Sequence, residues 1–291
     1  MAAAGLKLKQ MRPPPLVSVI IPYFHQAHFL RAAIESVLQQ TYRHFELVVV
    51  DDGSTDRASE VAARYPGIKL IRQSNQGVAA ARNTGFRASA GEFLVFLDAD
   101  DLLLPAALKT GVDALRAHRE AAFVYGYGRF IDAHGNPLPS PRQARVTRNH
   151  YQRLLKINYI WSVGATMFRR AHVDGFRLGI EGCDDWDLYL RITKNNPVHC
   201  HHQTIYLYRR HGLNLSGQGE LMVRAALTLF RDQLEVVRGD RKLENLCRKQ
   251  IHLNERWLAG HRDNRGELLN RITQKIQVRT RARALARIFK R

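Results

Sequence analysis

Cysteine is scarce in this sequence: 291 residues hold three, Cys183, Cys200 and Cys247, with no CxxC spacing among them. That argues against a disulfide framework and for reduced thiols in a cytoplasmic protein. Long apolar runs are missing as well. No stretch approaches the roughly 18–20 consecutive apolar residues that cross a bilayer. Residues 1–15 carry Lys7 and Lys9, end in Pro13-Pro14-Pro15 and lack the apolar segment of a secretion signal, so they read as a flexible basic tail. Acid is the third shortage. Asp and Glu total 26 against 45 Lys and Arg, a formal net charge of +19. An imbalance of that size calls for an anionic partner: a nucleotide, a lipid headgroup, a nucleic acid or a polyanionic glycan. Hydrophobic residues still make up 45%, enough for a packed core, and the length suits one large α/β domain with an appendage.

Apolar runs at 17–22, 45–50, 68–71 and 93–97 read as strands, and residues 26–40 and 77–90 show helical spacing between them. Ser54 or Thr55 can cap one more helix. This alternation predicts a parallel sheet with helices on its faces. Beyond residue 105 the pattern loosens. Segments 121–131, 163–168 and 203–208 read as strands, 132–147 as a proline-rich loop, and 187–194 as a short helix. Residues 221–237 and 243–258 are helical in pattern. The expected layout is an α/β domain at 16–215 followed by a basic helical region at 216–291.

In such sheets ligands bind beyond the carboxyl ends of the strands, and the acidic clusters sit there. Asp98-Ala99-Asp100 ends the fourth strand. Two carboxylates one residue apart can reach a ribose and a hard divalent cation that shares its coordination with substrate phosphates. A helix N-cap with solvated acids is the plainer alternative, and Asp101 fits it best. Asp51-Asp52 ends the second strand. Neighbouring strand residues point opposite ways, so only one of the two shares a pocket with Asp98; an Asx-turn with Gly53 is the structural alternative.

Arg82 and Asn83 follow a run of small residues early in a helix, where Arg82 can meet a diphosphate or a base carbonyl, or simply solvent. Asp184-Asp185-Trp186-Asp187 opens a short helix. A carboxylate there suits a general base, and acids favoured by the helix dipole are the alternative. In Tyr208-Arg209-Arg210-His211, Arg209 can face phosphate and His211 can join Asp100 on a metal. His199-Cys200-His201-His202 is rejected as a zinc site, because consecutive residues of an extended segment do not converge on one ion.

Taken in order, these segments resemble the family 2 glycosyltransferases, inverting enzymes with a GT-A fold. The resemblance spans roughly residues 16–215. It rests on Val17-Ser18-Val19-Ile20-Ile21-Pro22, Glu35-Ser36-Val37-Leu38-Gln39-Gln40-Thr41-Tyr42, Asp51-Asp52-Gly53-Ser54-Thr55-Asp56, Ala81-Arg82-Asn83-Thr84-Gly85 and Gly91-Glu92-Phe93. It also rests on Asp98-Ala99-Asp100-Asp101, Asp184-Asp185-Trp186-Asp187-Leu188 and Tyr208-Arg209-Arg210-His211. The implied fold is a Rossmann-like central mixed sheet, mostly parallel, flanked by helices and followed by a C-terminal helical extension. The implied donor is a nucleotide-diphosphate sugar, a UDP-sugar by family frequency. The implied cofactor is Mn²⁺ or Mg²⁺. By the same resemblance Pro22 and Tyr23 line the nucleoside pocket, Asp52 holds the base edge with Arg82 beside it, and Asp98 meets the ribose. Asp100 and His211 hold the metal, and Asp185 is the catalytic base, with Asp184 as second choice. One departure stands out: His25 occupies a position where the family usually has asparagine.

The expected acceptor is a hydroxyl of a saccharide or lipid-linked saccharide in bacterial surface polysaccharide synthesis. Residues 271–291 hold eight Lys/Arg and no acid. At about 1 kcal/mol for each cation near an anionic surface, they predict reversible docking on the inner face of the cell membrane; a solvated or packed helix is the alternative. A basic nucleic-acid-binding protein is a rival reading, but no recognised motif for it appears and the acids would repel phosphates. A sugar nucleotidyltransferase would want a glycine-rich loop where Pro22-Tyr23-Phe24-His25 stands. A catalytically dead binding module does not explain the intact acidic clusters.

Overall fold

The computed structural model describes residues 13–262 apart from 57, 213, 215 and 216. The expectations for residues 1–12 and for the basic segment 271–291 lie outside the described residues. The first half is the predicted parallel alternation: β1 (Val17–Tyr23), α1 (Ala27–Leu38), β2 (Phe45–Asp51), α2 (Ala58–Ala63), β3 (Ile68–Arg72), α3 (Val78–Ala88) and β4 (Phe93–Phe96). Then come β5 (Leu102–Leu103), α4 (Ala107–Ala117), β6 (Phe123–Ile131), β7 (Pro137–Leu138) and α5 (His150–Leu154). The described chain continues through β8 (Thr166–Arg169), α6 (Asp184–Asn195), β9 (His199–Arg209), α7 (Gly219–Val236) and α8 (Arg241–Arg262).

One sheet runs in the order β3-β2-β1-β4-β8-β6-β9-β5, with β7 on the edge of β6. β3, β2, β1 and β4 are parallel neighbours. β8 joins β4 and β6 antiparallel, while β6 and β9 run parallel. The C-terminal ends of β1, β2 and β4 therefore open on the same edge that the end of β9 reaches.

Side-chain alternation sorts the core into two faces. Val19, Ile21, Val95 and Leu97 pack with Leu30, Ile34 and Val37 of α1 and Leu108 and Val112 of α4. Ile20, Val48, Val50 and Phe96 pack with Ala81 of α3, Leu188 of α6 and Phe230 of α7. α3 lies hard on that second face: a Cβ at Gly85 would come 2.3 Å from the Ile20 side chain, so only glycine lets the helix approach. α7 and α8 belong to the same core, with Ala226, Leu229, Phe230 and Cys247 among its buried residues. Cys183, Cys200 and Cys247 are buried and unpaired to one another.

Helix α4 was not expected from the sequence. Gly111 interrupts its apolar stripe, and it is there because Met167 crosses the helix: a Cβ at Gly111 would lie 2.7 Å from the methionine methyl. Residues 163–165, expected as the start of a strand, form a turn of 3₁₀ helix ahead of β8. No helix among the described residues is long and apolar enough to cross a membrane.

Candidate active site

The centre of the site is a buried arginine. Arg82 projects from the first turn and a half of α3, 6% exposed, and its two terminal nitrogens reach different carboxylates. Nη2 donates to Asp98 Oδ1 at 2.5 Å, and Nη1 donates to Asp184, a residue 102 positions away in the chain. The guanidinium lies 5.2 Å from the Phe176 ring. Asn83 fixes that ring's backbone, accepting from Phe176 N at 2.7 Å and donating to Phe176 O at 2.8 Å. Burial alone would lower the Arg82 pKa, but the two carboxylates outweigh it and raise it. The structure thus gives Arg82 a bridging role, tying the end of β4 to the start of α6.

That bridge separates the two candidate bases. Asp184 is 4% exposed and its carboxylate is held by Arg82. Its pKa is raised by burial, with Arg82 opposing. Asp185 is half-buried beside it. Burial first, then the charge of Asp184, push the Asp185 carboxyl up to about 7, against the pull of Arg82. A carboxylate with a pKa near neutrality is poised to accept and release a proton. The next acid, Asp187, serves the fold: Arg191 Nε donates to it at 2.7 Å.

Asp100 and Asp101 divide their work by direction. Asp100 Oδ2 lies 2.9 Å from His211 Nε2, and Asn214 Nδ2 donates to the same oxygen at 3.3 Å. Burial and the neighbouring Asp98 raise the Asp100 pKa, while His211 opposes them. Asp101 points inward. It takes a hydrogen bond from the buried Tyr206 hydroxyl and another from Arg209 N at 2.7 Å. Arg209 does not face phosphate: its guanidinium donates to the carbonyls of Asp100, Asp132 and Ala133 and holds the turn together. A cavity of about 590 Å³, lined by His28, Phe29, His134, Arg209 and His211, opens beside the Asp100–His211 pair.

Asp100 supplies an oxygen ligand and His211 a nitrogen ligand, while the Asn214 amide NH2 orients the Asp100 carboxylate. A hard divalent cation that also draws on diphosphate oxygens and water fits such a set. Protein groups alone do not complete it, since no cluster of three His, Cys, Asp or Glu is poised for a metal among the described residues.

At the β1–β2 end the predicted residues separate. Asp52 Oδ1 accepts from Gln73 Nε2 at 2.8 Å and Gln76 N at 3.0 Å, and Oδ2 accepts from Gly77 N at 2.8 Å. Its carboxylate therefore fastens residues 73–77 in front of α3. Asp51 makes the local turn instead, accepting from Ser54 N at 2.8 Å. Ser54, expected as a possible helix cap, takes His25 N on its hydroxyl at 3.0 Å. Asp56 reaches the first amide of α1, accepting from Ala27 N at 3.0 Å. Pro22 shares the face of Ile20, towards α3 and Arg82. Tyr23 does not join it. Tyr23 turns to the α1 face, is 3% exposed and packs in the core with Ile21 and Leu30. Burial, then the nearby Asp51, raise its phenol pKa. Its expected place in a nucleoside pocket is corrected on that ground. His25 has φ 53, a left-handed conformation in which asparagine and histidine are both enriched. The departure from asparagine therefore keeps the backbone geometry of the loop.

Asn214 is the member of the site that sequence reasoning missed. Its only signal is its place three residues after His211, where its Oδ1 accepts His211 N at 2.6 Å and closes a small turn.

A family profile described as glycosyl transferase family 2 matches residues 18–176, more than half of the chain. The chain belongs to glycosyl transferase family 2. Among curated relatives of this family member, chondroitin synthase from Escherichia coli is 30% identical over 215 residues, covering 69% of this chain and 30% of that protein. The uncharacterized glycosyltransferase EpsJ of Bacillus subtilis is 29% identical over 54% of this chain and 48% of its own length. The chain thus spans about a third to a half of the length of these relatives. Two solved structures share its fold. S. aureus TarS 1-349 in complex with UDP-GlcNAc superposes with a TM-score of 0.62 at 18% identity, covering 81% of this chain and 70% of that one. The mannosyltransferase PcManGT from Pyrobaculum calidifontis, in complex with GDP-Man and Mn²⁺, gives 0.60 at 17% identity over 95% and 86%. The family 2 chain therefore has the GT-A arrangement, a mixed sheet flanked by helices with further helices at its C-terminal end.

Proposed function

We propose that the chain transfers a sugar from a nucleotide-diphosphate sugar, a UDP-sugar by preference, to a hydroxyl of a saccharide or lipid-linked acceptor, with inversion at the anomeric carbon. The reaction would serve bacterial surface polysaccharide synthesis on the inner face of the cell membrane, with residues 271–291 as the membrane contact. One observation carries the reading: acids from the ends of β4 and the start of α6 meet through Arg82, leaving Asp185 as the half-buried carboxyl whose pKa is near 7.

In this reading the nucleoside lies over the Pro22 and Asp52 end of the cleft, against the 73–77 segment. Asp98, 29% exposed, turns an oxygen to the ribose while Arg82 holds its other side in place. Asp185 takes the proton of the acceptor hydroxyl as that oxygen bonds to the anomeric carbon and the sugar–phosphate bond breaks. Asp184 stays paired with Arg82 and raises the basicity of its neighbour. Asp100 and His211 would hold a divalent cation, which when bound supplies Lewis-acid stabilisation of the departing diphosphate. The relatives' ligands lend support: TarS is seen with UDP-GlcNAc, and PcManGT with GDP-Man and Mn²⁺.

Thermal unfolding with a panel of UDP-, GDP- and dTDP-sugars, with and without Mn²⁺, tests the proposal. A ligand at 100 times its Kd stabilises by about 2.7 kcal/mol, so one nucleotide class raises the Tm by several degrees and needs the metal to do it. A Tm that no nucleotide sugar moves under either condition sinks the reading.

A further inference from the structure

A second groove lies away from the acids, on the β6–β9 ladder. It encloses about 550 Å³ and is lined by Tyr127, Arg129, Arg142, Gln143, Arg145 and Thr204, among others. Its walls are built, not incidental. β8 leaves β6 at Tyr125, so the next residues of β6 lack a strand on that side. The segment after β7 takes the place of one. Ser140 Oγ accepts from Phe130 N at 2.7 Å, and the Gln143 amide bonds both Gly128 N at 2.9 Å and Gly128 O at 2.7 Å. Ala144 and Val146 then turn inward, 5% and 2% exposed, and Val146 O accepts the Tyr125 hydroxyl at 3.3 Å. Arg145, between Ala144 and Val146, is exposed, and so are Arg142 ahead of them and Arg129 on β6.

The charge of this wall is one-sided. Residues 133–173 contain no Asp or Glu at all. Asp132, just before them, spends its carboxylate on a turn, accepting from His134 N, Asn136 N and Asn136 Nδ2. Tyr127 adds an aromatic face fixed by a 2.8 Å contact between its hydroxyl and His202 Nδ1. Thr204, which pairs with Tyr127 across the ladder, is five residues from Arg209 at the Asp100 turn. Arg129, which also lines the groove, pairs with Leu207, two residues from Arg209. At about 3.3 Å per strand residue, the groove therefore runs from roughly 7 to roughly 16 Å from Arg209, within reach of one oligosaccharide.

We infer that this groove holds an anionic acceptor glycan, its carboxylate or phosphate groups on Arg129, Arg142 and Arg145 and a sugar ring against Tyr127. The inference rests on the proposed glycosyl transfer for calling the occupant an acceptor, and it deepens that reading by naming the acceptor's charge. Planar guanidinium forks suit carboxylate and phosphate alike.

Calorimetry on the full chain tests it with four probes: a uronic-acid oligosaccharide, a polyol-phosphate oligomer, a neutral dextran oligomer, and vesicles containing phosphatidylserine. The variant is Arg129→Ser with Arg142→Ser and Arg145→Ser, three exposed positions whose loss leaves the Tm in place. Expected is binding of at least one of the two anionic saccharides, weakened in the variant by tenfold or more, about a factor of ten for each charge-assisted contact removed. The two anionic probes then separate carboxylate from phosphate recognition. Equal binding by variant and parent, equal affinity for dextran, or a variant-sensitive loss seen for vesicles alone overturns the inference. Donor-induced stabilisation measured on the same variant reports on the other cleft. If it persists while glycan binding is absent, the groove assignment fails and the transferase reading stands. Loss of donor stabilisation in the parent sinks that reading instead.

Discussion

Replacing Arg82 by methionine probes the element on which the site geometry depends. The guanidinium is 6% exposed and Asp184 is 4% exposed. Removing one partner of a buried pair leaves an uncompensated charge, which typically costs about 3–5 kcal/mol. The methionine fills the volume of the arginine stem, so the loss is that of the guanidinium: its two ion pairs and its contact with the Phe176 ring. For a chain of this size 1 kcal/mol moves the Tm by about 2–4 °C, which puts the expected drop at roughly 6–20 °C. The penalty depends on pH. Without Arg82 the folded-state pKa of Asp184, already raised by burial, rises further above its unfolded value. A carboxylate with a raised folded pKa is most destabilising above that pKa and is relieved by protonation below it. The variant's deficit is therefore larger at pH 8 than at pH 5. Urea unfolding of Arg82→Met, Asp184→Asn and the double variant at both pH values completes the test. The double variant recovers a large part of the loss, a coupling of 2 kcal/mol or more, well above the 0.5 kcal/mol scatter of independent sites. A cost under 1 kcal/mol, or additive single effects, would refute the buried-bridge reasoning.

Asp185→Asn abolishes transfer while leaving donor-induced stabilisation in place, and retained turnover rules out the base assignment. Because the Asp185 carboxyl is raised to about 7, the same substitution stabilises the fold, more at pH 8 than at pH 5, and the parent's rate rises as pH passes through 7. Asp100→Ala weakens nucleotide-sugar binding in the presence of Mn²⁺ by tenfold or more; unchanged calorimetric titration would contradict the metal placement. Tyr206→Phe leaves Asp101 with one fewer donor in the interior, a loss of about 1–3 kcal/mol read as a lower urea midpoint; no shift in midpoint would show that the Tyr206–Asp101 bond stabilises nothing. Deleting residues 271–291 removes flotation with anionic liposomes, and equal flotation of both chains would end the docking idea.

The acidic half of the site was legible in the sequence because a strand that ends in acids sets them at the sheet's ligand-binding edge. Asp51 and Asp52, neighbours at a strand end, go different ways, one to the Ser54 turn and the other to residues 73–77. The rule that neighbouring strand residues diverge, applied to Pro22 and Tyr23, would have sent the tyrosine into the core. What stayed hidden depends on contacts between distant segments. Nothing near Arg82 reveals that it would be shared by Asp98 and Asp184, and nothing near Arg209 reveals that three carbonyls would occupy it. Helix α4 was lost to local patterning because its glycine answers to Met167, a residue on another element. Asn214 gains its meaning only when Asp100 comes near.

The side chains of Ser140 and Gln143 stand where a backbone would normally complete the ladder on β6. A stretch of open strand edge is a template for a second polypeptide, and here two polar side chains and a turn of basic loop shield it. The segment between β6 and α5 therefore closes that edge as well as shaping a wall. Losing the Gln143 side chain would strip Gly128 of the partners of its N–H and its carbonyl at once.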